Sequence, residues 1–179
     1  MMMNKKRLGL YLHIPFCARK CLYCDFLSGP ASDEVMETYA KALSKEIGQV
    51  NIVSDYEVDS IFFGGGTPSV MKECFIDSFF EQIHAKFKMT KKAEITMECN
   101  PGTVTSEKLQ SYRRAGVNRL SFGLQSTNNK ELKLLGRIHS WEDFLHSYEL
   151  ARKCGYDNIN IDLMASIPGQ TRESYANSC

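Results

Sequence analysis

Gly116-Val117-Asn118-Arg119-Leu120-Ser121-Phe122-Gly123-Leu124 returns 39 residues later as Gly155-Tyr156-Asp157-Asn158-Ile159-Asn160-Ile161-Asp162-Leu163. In each copy a glycine stops an amphipathic helix, three residues lead away, and a strand with alternating apolar side chains follows. A recurrence in this order marks a repeated helix–strand unit. Upstream the same alternation continues. Strands are expected near residues 9, 60, 94, 119 and 158, the first two as Gly9-Leu10-Tyr11-Leu12-His13-Ile14 and Ser60-Ile61-Phe62-Phe63. Between them lies a helix starting at Ser32 or Asp33, with Val35, Tyr39, Leu43 and Ile47 on one face. A second carries Phe75, Phe79, Ile83 and Phe87 toward the core, and a third runs from Ser106 to Ala115. Ser140 with Asp143 opens the next through a capping box, and Gly155 closes it. Five strand–helix units imply a parallel sheet with right-handed crossovers, an α/β fold.

The polar residues choose between a barrel and a doubly wound sheet. The Gly64–Thr67 loop, Glu98, Asn100, Gln125 and Asp162 fall late in, or just after, their strands. That end of a parallel sheet is where sites assemble. Each residue alone has a local reading, with glycines making a tight turn and carboxylates paired to buried donors. Five at equivalent ends favour a shared site on a parallel (β/α) partial barrel. After Ile167-Pro168-Gly169-Gln170-Thr171 only Arg172 to Cys179 follow. The sixth unit is therefore missing, the last strand keeps an open edge, and residues 1–179 read as one incomplete core domain.

Composition narrows the function classes. The chain has 179 residues, enough for one domain with a sizeable core, and 43% of them are hydrophobic. Twenty-two Lys and Arg against 21 Asp and Glu leave a net charge of +1, no footprint for nucleic acid or a polybasic membrane anchor. No apolar run reaches the roughly 18 residues of a membrane span. Leu8 to Leu12 faintly imitates a signal peptide, but His13 and Pro15 interrupt it and no small-residue cleavage site follows. The reading is cytoplasmic.

Seven cysteines are unevenly placed. Cys17, Cys21 and Cys24 crowd one loop after the first strand, whereas Cys74, Cys99, Cys154 and Cys179 stand apart and read as small buried hydrophobes. Clustered thiols in a reducing compartment point to metal or redox chemistry. Iron–sulfur clusters normally take four cysteines, so three would leave one iron open to a small molecule. Zinc completed by His13 or Cys99 fits the spacing equally well, and structural thiols without metal remain a third reading.

Tyr11-Leu12-His13-Ile14-Pro15-Phe16-Cys17-Ala18-Arg19-Lys20-Cys21-Leu22-Tyr23-Cys24-Asp25-Phe26 closely resembles the cluster loop of radical S-adenosylmethionine (SAM) enzymes. More narrowly it resembles the oxygen-independent coproporphyrinogen III oxidase branch, above all its HemW-type heme chaperones. The likeness continues through Phe63-Gly64-Gly65-Gly66-Thr67-Pro68-Ser69, Glu98-Cys99-Asn100-Pro101, Ser121 to Ser126, Gly136-Arg137-x-His139 and Asp162-Leu163-Met164. The resemblance implies a partial (β/α) barrel with a 4Fe–4S cluster on Cys17, Cys21 and Cys24. Its fourth iron would chelate the methionyl part of S-adenosylmethionine, whose reductive cleavage gives a 5′-deoxyadenosyl radical. By motif match, Tyr11, Tyr23, Gly65, Gly66, Thr67, Glu98, Gln125, Arg137 and Asp162 would contact S-adenosylmethionine. His13 is placed near cluster and substrate.

The branch also implies an electron-donor protein and, for HemW-type members, heme bound by the full-length parent and passed to an acceptor protein. The oxidases carry a further cysteine two positions after the third ligand, where this chain has Phe26. That favours a heme chaperone over oxidative decarboxylation of porphyrinogen propionates. The heme-associated His-Asn-x-x-Tyr-Trp motif of the chaperones is absent. A zinc-stabilised binding domain is the alternative from another class.

Overall fold

The computed structural model of the chain describes residues 5–51 and 55–179. In order these form β1 (Lys6–Ile14), α1 (Asp33–Gln49), β2 (Tyr56–Gly65), α2 (Glu73–Lys86), β3 (Met89–Cys99) and α3 (Ser106–Ala115). Then come β4 (Arg119–Gln125), α4 (Asn129–Leu134), α5 (Trp141–Lys153), β5 (Asn158–Leu163) and α6 (Arg172–Ala176). The strands pair in sequence order and every pair is parallel, as the alternation requires. This is the expected partial (β/α) barrel of five strands.

Period-2 alternation divides the sheet into two faces. Leu12, Ile14, Ile61, Phe63, Met97, Leu120, Phe122 and Leu124 are buried and join one core with Ala40, Ile76, Phe79, Ile83, Leu109, Tyr112 and Phe144 from the helices. The opposite phase carries Tyr11 and Phe62 on β1 and β2 and turns polar or small on β3 to β5, with Thr96, Glu98, Ser121, Gly123, Asn160 and Asp162. Register places Glu98 beside Ser121, Ser121 beside Asn160, and Gly123 beside Asp162. One slip of register would exchange the two faces, so the apolar phase fixes where the polar groups stand.

Local chemistry sets the helix ends. Ser32, Thr105, Asn128, Ser140 and Thr171 each accept a first-turn backbone N–H, and Ser140 with Asp143 completes the capping box. Gly116 ends α3 at φ +111°, in the left-handed region. The echo is structural as well: Val117 and its counterpart Tyr156 are both buried, and the Tyr156 hydroxyl donates to the Leu109 carbonyl at 3.1 Å.

Several expectations shift. In α1 the buried positions are Ala40 and Ile47, with Met36, Tyr39 and Leu43 partly buried, and Val35 faces solvent. The core face is thus turned by one residue at the helix start. Strands β1, β2 and β3 begin three to five residues earlier than their apolar runs, through stretches in which charged residues such as Arg7, Asp59, Lys91 and Lys92 break the hydrophobic pattern. Of the solitary cysteines Cys99 is buried, Cys154 half-buried, and Cys74 and Cys179 exposed, so the last two are not core residues. Helix α4 went unforeseen because six residues give too little periodicity. It carries Glu131, whose buried carboxylate accepts from Ser126, Gln170 and Ser174, pinning the last segment to the end of β4.

Among the described residues no helix is long and apolar enough to cross a membrane.

Candidate cofactor site

The loops that follow the strands enclose one cavity. Cys17, Cys21, Tyr23 and Cys24 come from the loop between β1 and α1, and Gly65, Gly66 and Thr67 from the exit of β2. Glu98 lies at the end of β3, Gln125 at the end of β4, Asp162 on β5 and Arg137 just after α4; all line the same space. Twelve residues were expected at the site, and Tyr11 alone does not line it. It stands lower on β1, stacked on Phe62 with ring centroids 6.0 Å apart, and is 59% exposed. Its phenol is nevertheless raised from the ordinary value, first by burial and then by the Glu98 charge.

The cysteine loop is tied at its base and again further out, with apolar side chains exposed at its tip. Cys17 N–H donates to the Gly29 carbonyl and Gly29 N–H to the Pro15 carbonyl, at 3.0 and 3.1 Å. Further out Leu22 N–H donates to the Leu135 carbonyl, and the Lys20 ammonium donates to the carbonyls of Phe26 and Ser28. Leu22, Phe26 and Leu27 are 77%, 69% and 88% exposed.

The glycine turn lies hard against this loop. Gly66 N–H donates to the Ile14 carbonyl and Thr67 N–H to the Phe16 carbonyl, at 2.8 and 2.7 Å. A Cβ on Gly66 would fall 2.6 Å from the Phe16 carbonyl oxygen and 3.0 Å from Cys17 Sγ. Gly65 adopts φ +114°, and a Cβ there would meet the His13 ring at 2.6 Å. Only glycine permits both the conformation and the approach. His13 therefore packs behind the turn, outside the cavity lining.

The far wall is held by hydrogen bonds. Glu98 accepts from Gly65 N–H at 3.2 Å. Burial pushes its carboxyl above the usual range, the Gly65 bond opposes this, and the Asp162 charge adds to the rise. Asp162 accepts from Asn160 Nδ2 at 2.8 Å and from the Ser121 hydroxyl at 3.3 Å. Gln125 has φ +74°, unusual for a residue with a Cβ, and the β4–β5 register shifts between Gly123 and Gln125. Such outliers concentrate at functional sites. Arg137 donates through Nη2 to Asn100 Oδ1 at 2.7 Å and to the Gly123 carbonyl, and through Nη1 to Cys21 Sγ at 3.5 Å. Burial raises the Tyr23 phenol while the neighbouring Arg137 guanidinium draws it back.

Three observations bear on what the cavity can hold. Arg137 Nε is buried without a hydrogen-bond partner, so the guanidinium keeps a donor for an incoming acceptor. Gly65 and Gly66 line the cavity with backbone alone, packed directly beside Cys17. The three thiols share the cavity, yet among the described residues no three His, Cys, Asp or Glu side chains close on a single ion. Cys99 also lines the cavity, with its thiol buried and donating to the Met97 carbonyl. His13 lies outside that lining, so of the two residues expected to complete a zinc site only Cys99 shares the cavity with the three thiols.

Asn100, Ser121 and Gly123 line the cavity as well, though none was among the expected contacts. Asn100 was visible as a polar strand-end residue. Ser121 and Gly123 were legible only as the phase of β4 opposite Leu120, Phe122 and Leu124.

Comparison with known proteins agrees with this geometry. Residues 11–179 match the Radical SAM superfamily. The chain is 41% identical over 168 residues to heme chaperone HemW of Escherichia coli, covering 93% of this chain and 44% of that protein. It is 38% identical over 163 residues to heme chaperone HemW of Bacillus subtilis, covering 90% of this chain and 43% of that protein. Among solved structures, the radical SAM coproporphyrinogen III oxidase HemN of Escherichia coli superposes with a TM-score of 0.88 at 31% identity. That match covers 97% of this chain and 41% of the oxidase. The chain thus spans less than half the length of these relatives. It belongs to the radical SAM superfamily, in the branch that joins the coproporphyrinogen III oxidase HemN to the HemW heme chaperones.

Proposed function

We propose that this chain binds a 4Fe–4S cluster through Cys17, Cys21 and Cys24 and S-adenosylmethionine against the facing wall. The observation that carries this reading is one cavity lined on one side by three thiols and on the other by Glu98, Gln125, Arg137 and Asp162. When bound, the cluster supplies one electron for reductive cleavage of a sulfonium C–S bond.

The chain's own residues position that substrate. The Arg137 guanidinium suits the methionyl carboxylate, and the backbone carbonyls of Gly65 and Gly66, which line the cavity, suit the ammonium. Glu98 and Asp162 accept from the ammonium or the ribose hydroxyls, and the Gln125 amide offers both donor and acceptor. Thr67 and Tyr23 flank the thiols. Tyr11, stacked on Phe62 lower on β1, stays outside this set of contacts.

At the length of its relatives, the protein is read as a cytoplasmic HemW-type heme chaperone, supplied with electrons by a donor protein and passing heme to an acceptor. Support comes from the identity to two proteins of that name and from Phe26 at the position of the oxidases' additional cysteine. The high TM-score to the oxidase keeps oxidative decarboxylation of coproporphyrinogen III as the second reading. Anaerobic reconstitution with iron and sulfide analysis tests the core of the proposal: about four irons and four sulfides per chain are expected. Stoichiometric heme transfer without coproporphyrinogen turnover in the longer protein would select the chaperone, and turnover the oxidase.

A further inference from the structure

Asn100 touches neither thiol nor strand-end carboxylate, yet it joins the two donors that reach the cysteines. Its Nδ2 donates to Thr67 Oγ1 at 2.7 Å, and the Thr67 hydroxyl donates to Cys17 Sγ at 3.7 Å. Its Oδ1 accepts from Arg137 Nη2 at 2.7 Å, and Arg137 Nη1 donates to Cys21 Sγ at 3.5 Å. One carboxamide therefore uses its donor on one arm and its acceptor on the other. The amide orientation is forced, since the reversed group would face the Arg137 guanidinium with N–H.

Asn100 is itself fixed. Its backbone N–H donates to Ser69 Oγ at 3.4 Å, its carbonyl accepts from Thr103 Oγ1 at 2.7 Å, and those two hydroxyls lie 2.6 Å apart. Lys108 closes the network by donating to the Ser69 carbonyl at 2.8 Å. Across the sheet, a Cβ on Gly123 would fall 3.0 Å from Asn100 Oδ1 and 3.2 Å from Arg137 Nη2. The absence of a side chain there leaves both groups room to meet.

Hydrogen bonds to thiolate ligands favour the reduced, more negative state of an iron–sulfur cluster and raise its potential, and outer contacts orient the groups that make them. We infer that Asn100 is a positioning residue that aims the Thr67 hydroxyl at Cys17 and the Arg137 guanidinium at Cys21, and so sets the reduction potential of the cluster those thiols hold. This rests on the cluster reading above. The coupling has a further consequence: an acceptor that draws Arg137 toward itself pulls on the Asn100 carboxamide, linking occupation of the cavity to both thiols.

The test is a potentiometric titration of the reconstituted chain, followed by electron paramagnetic resonance without S-adenosylmethionine, with iron counted in every sample. Asn100→Ala should keep its iron and shift to a more negative potential. The ratio of reduced to oxidised cluster at fixed ambient potential should fall about two- to tenfold, the worth of one hydrogen bond. Thr67→Val should shift in the same direction, and the double variant should fall short of the sum, because Asn100 acts partly through Thr67. Asn100→Asp keeps an acceptor for Arg137 but turns the Thr67 hydroxyl away from Cys17, so it too should move negative; it decides the matter if Asn100→Ala loads no iron. Wild-type potentials at full iron in Asn100→Ala and Asn100→Asp would overturn the inference. A wild-type chain that takes up no cluster would overturn the cluster reading and this inference with it.

Discussion

The two sides of the cavity are built differently. The cysteine loop is held by backbone hydrogen bonds at Cys17, Leu22 and Gly29 and by the Lys20 ammonium, and exposes Leu22, Phe26 and Leu27 at its tip. The facing wall grows out of β2 to β5, with buried Phe122 and Leu124 behind it and almost every polar group bonded to another protein group. The difference fits the roles proposed for the two sides. Thiolates bonded to a metal group gain their order from those bonds, because ligand binding and local folding share one free energy. A wall that recognises an organic molecule must be placed beforehand, since every side chain ordered on binding weakens affinity.

The contrast is broken most severely at the thiols. Cys17→Ala, Cys21→Ala or Cys24→Ala should each abolish cluster assembly in anaerobic iron analysis, whereas Cys74→Ala, exposed on α2, should keep full iron. Equal losses from all four would erase the distinction between ligand and bystander.

The next largest effect separates the buried wall from the exposed loop tip. Phe122 is fully buried between Ser121 and Gly123 and meets Phe144 edge-on, with centroids 6.2 Å apart. Phe122→Ala should cost about 3–5 kcal/mol of stability in denaturant unfolding. Leu27→Ala at the loop tip should change it by less than about 0.5 kcal/mol. Similar losses would show the two sides equally structured.

Acid should loosen the wall from behind. His139 is buried, and its ring bonds the Leu124 carbonyl at 3.2 Å. Burial first, then the Arg137 cation, lowers its pKa from 6.5 to about 4. The folded state holds the neutral imidazole, so this contribution is complete above pH 6.5 and is lost as pH falls from there toward about 4. The loss is on the order of 3 kcal/mol. Comparing stability against pH for the chain and for His139→Gln isolates it, and the variant's slope should be flatter across that window. Parallel curves would contradict the assignment.

The smallest expected effect is the most specific. Glu98→Gln and Asp162→Asn should weaken S-adenosylmethionine binding by calorimetry about ten- to hundredfold, with iron content unchanged. A hydrogen bond to a charged group is worth about 1.5–3 kcal/mol. Iron loss alongside affinity would mean the wall also supports the loop.

Much of this was legible in the residues. Strong alternation gave β4 and β5 to the residue, and Gly116 with the Ser140–Asp143 box gave helix ends that the structure reproduces. The early parts of β1, β2 and β3 were not legible, because charged residues such as Lys6, Arg7, Glu57, Asp59, Lys91 and Lys92 interrupt the apolar alternation there. Placement of eleven of the twelve expected site residues followed from the rule that sites gather at strand ends, together with the family resemblance. The Asn100 network was hidden for a different reason. Its partners Thr67, Arg137 and Ser69 lie between 31 and 37 residues away, brought together only by the curvature of the sheet.

The account turns on one cavity serving metal group and organic ligand together, so the most direct measurement is the electron paramagnetic resonance spectrum of the reduced, iron-loaded chain with and without S-adenosylmethionine. Direct ligation of the open iron should change the spectrum, and Glu98→Gln should require about ten- to hundredfold more S-adenosylmethionine for the same change. A spectrum indifferent to saturating S-adenosylmethionine, both in this chain and in a protein carrying the domain at its relatives' full length, would contradict it.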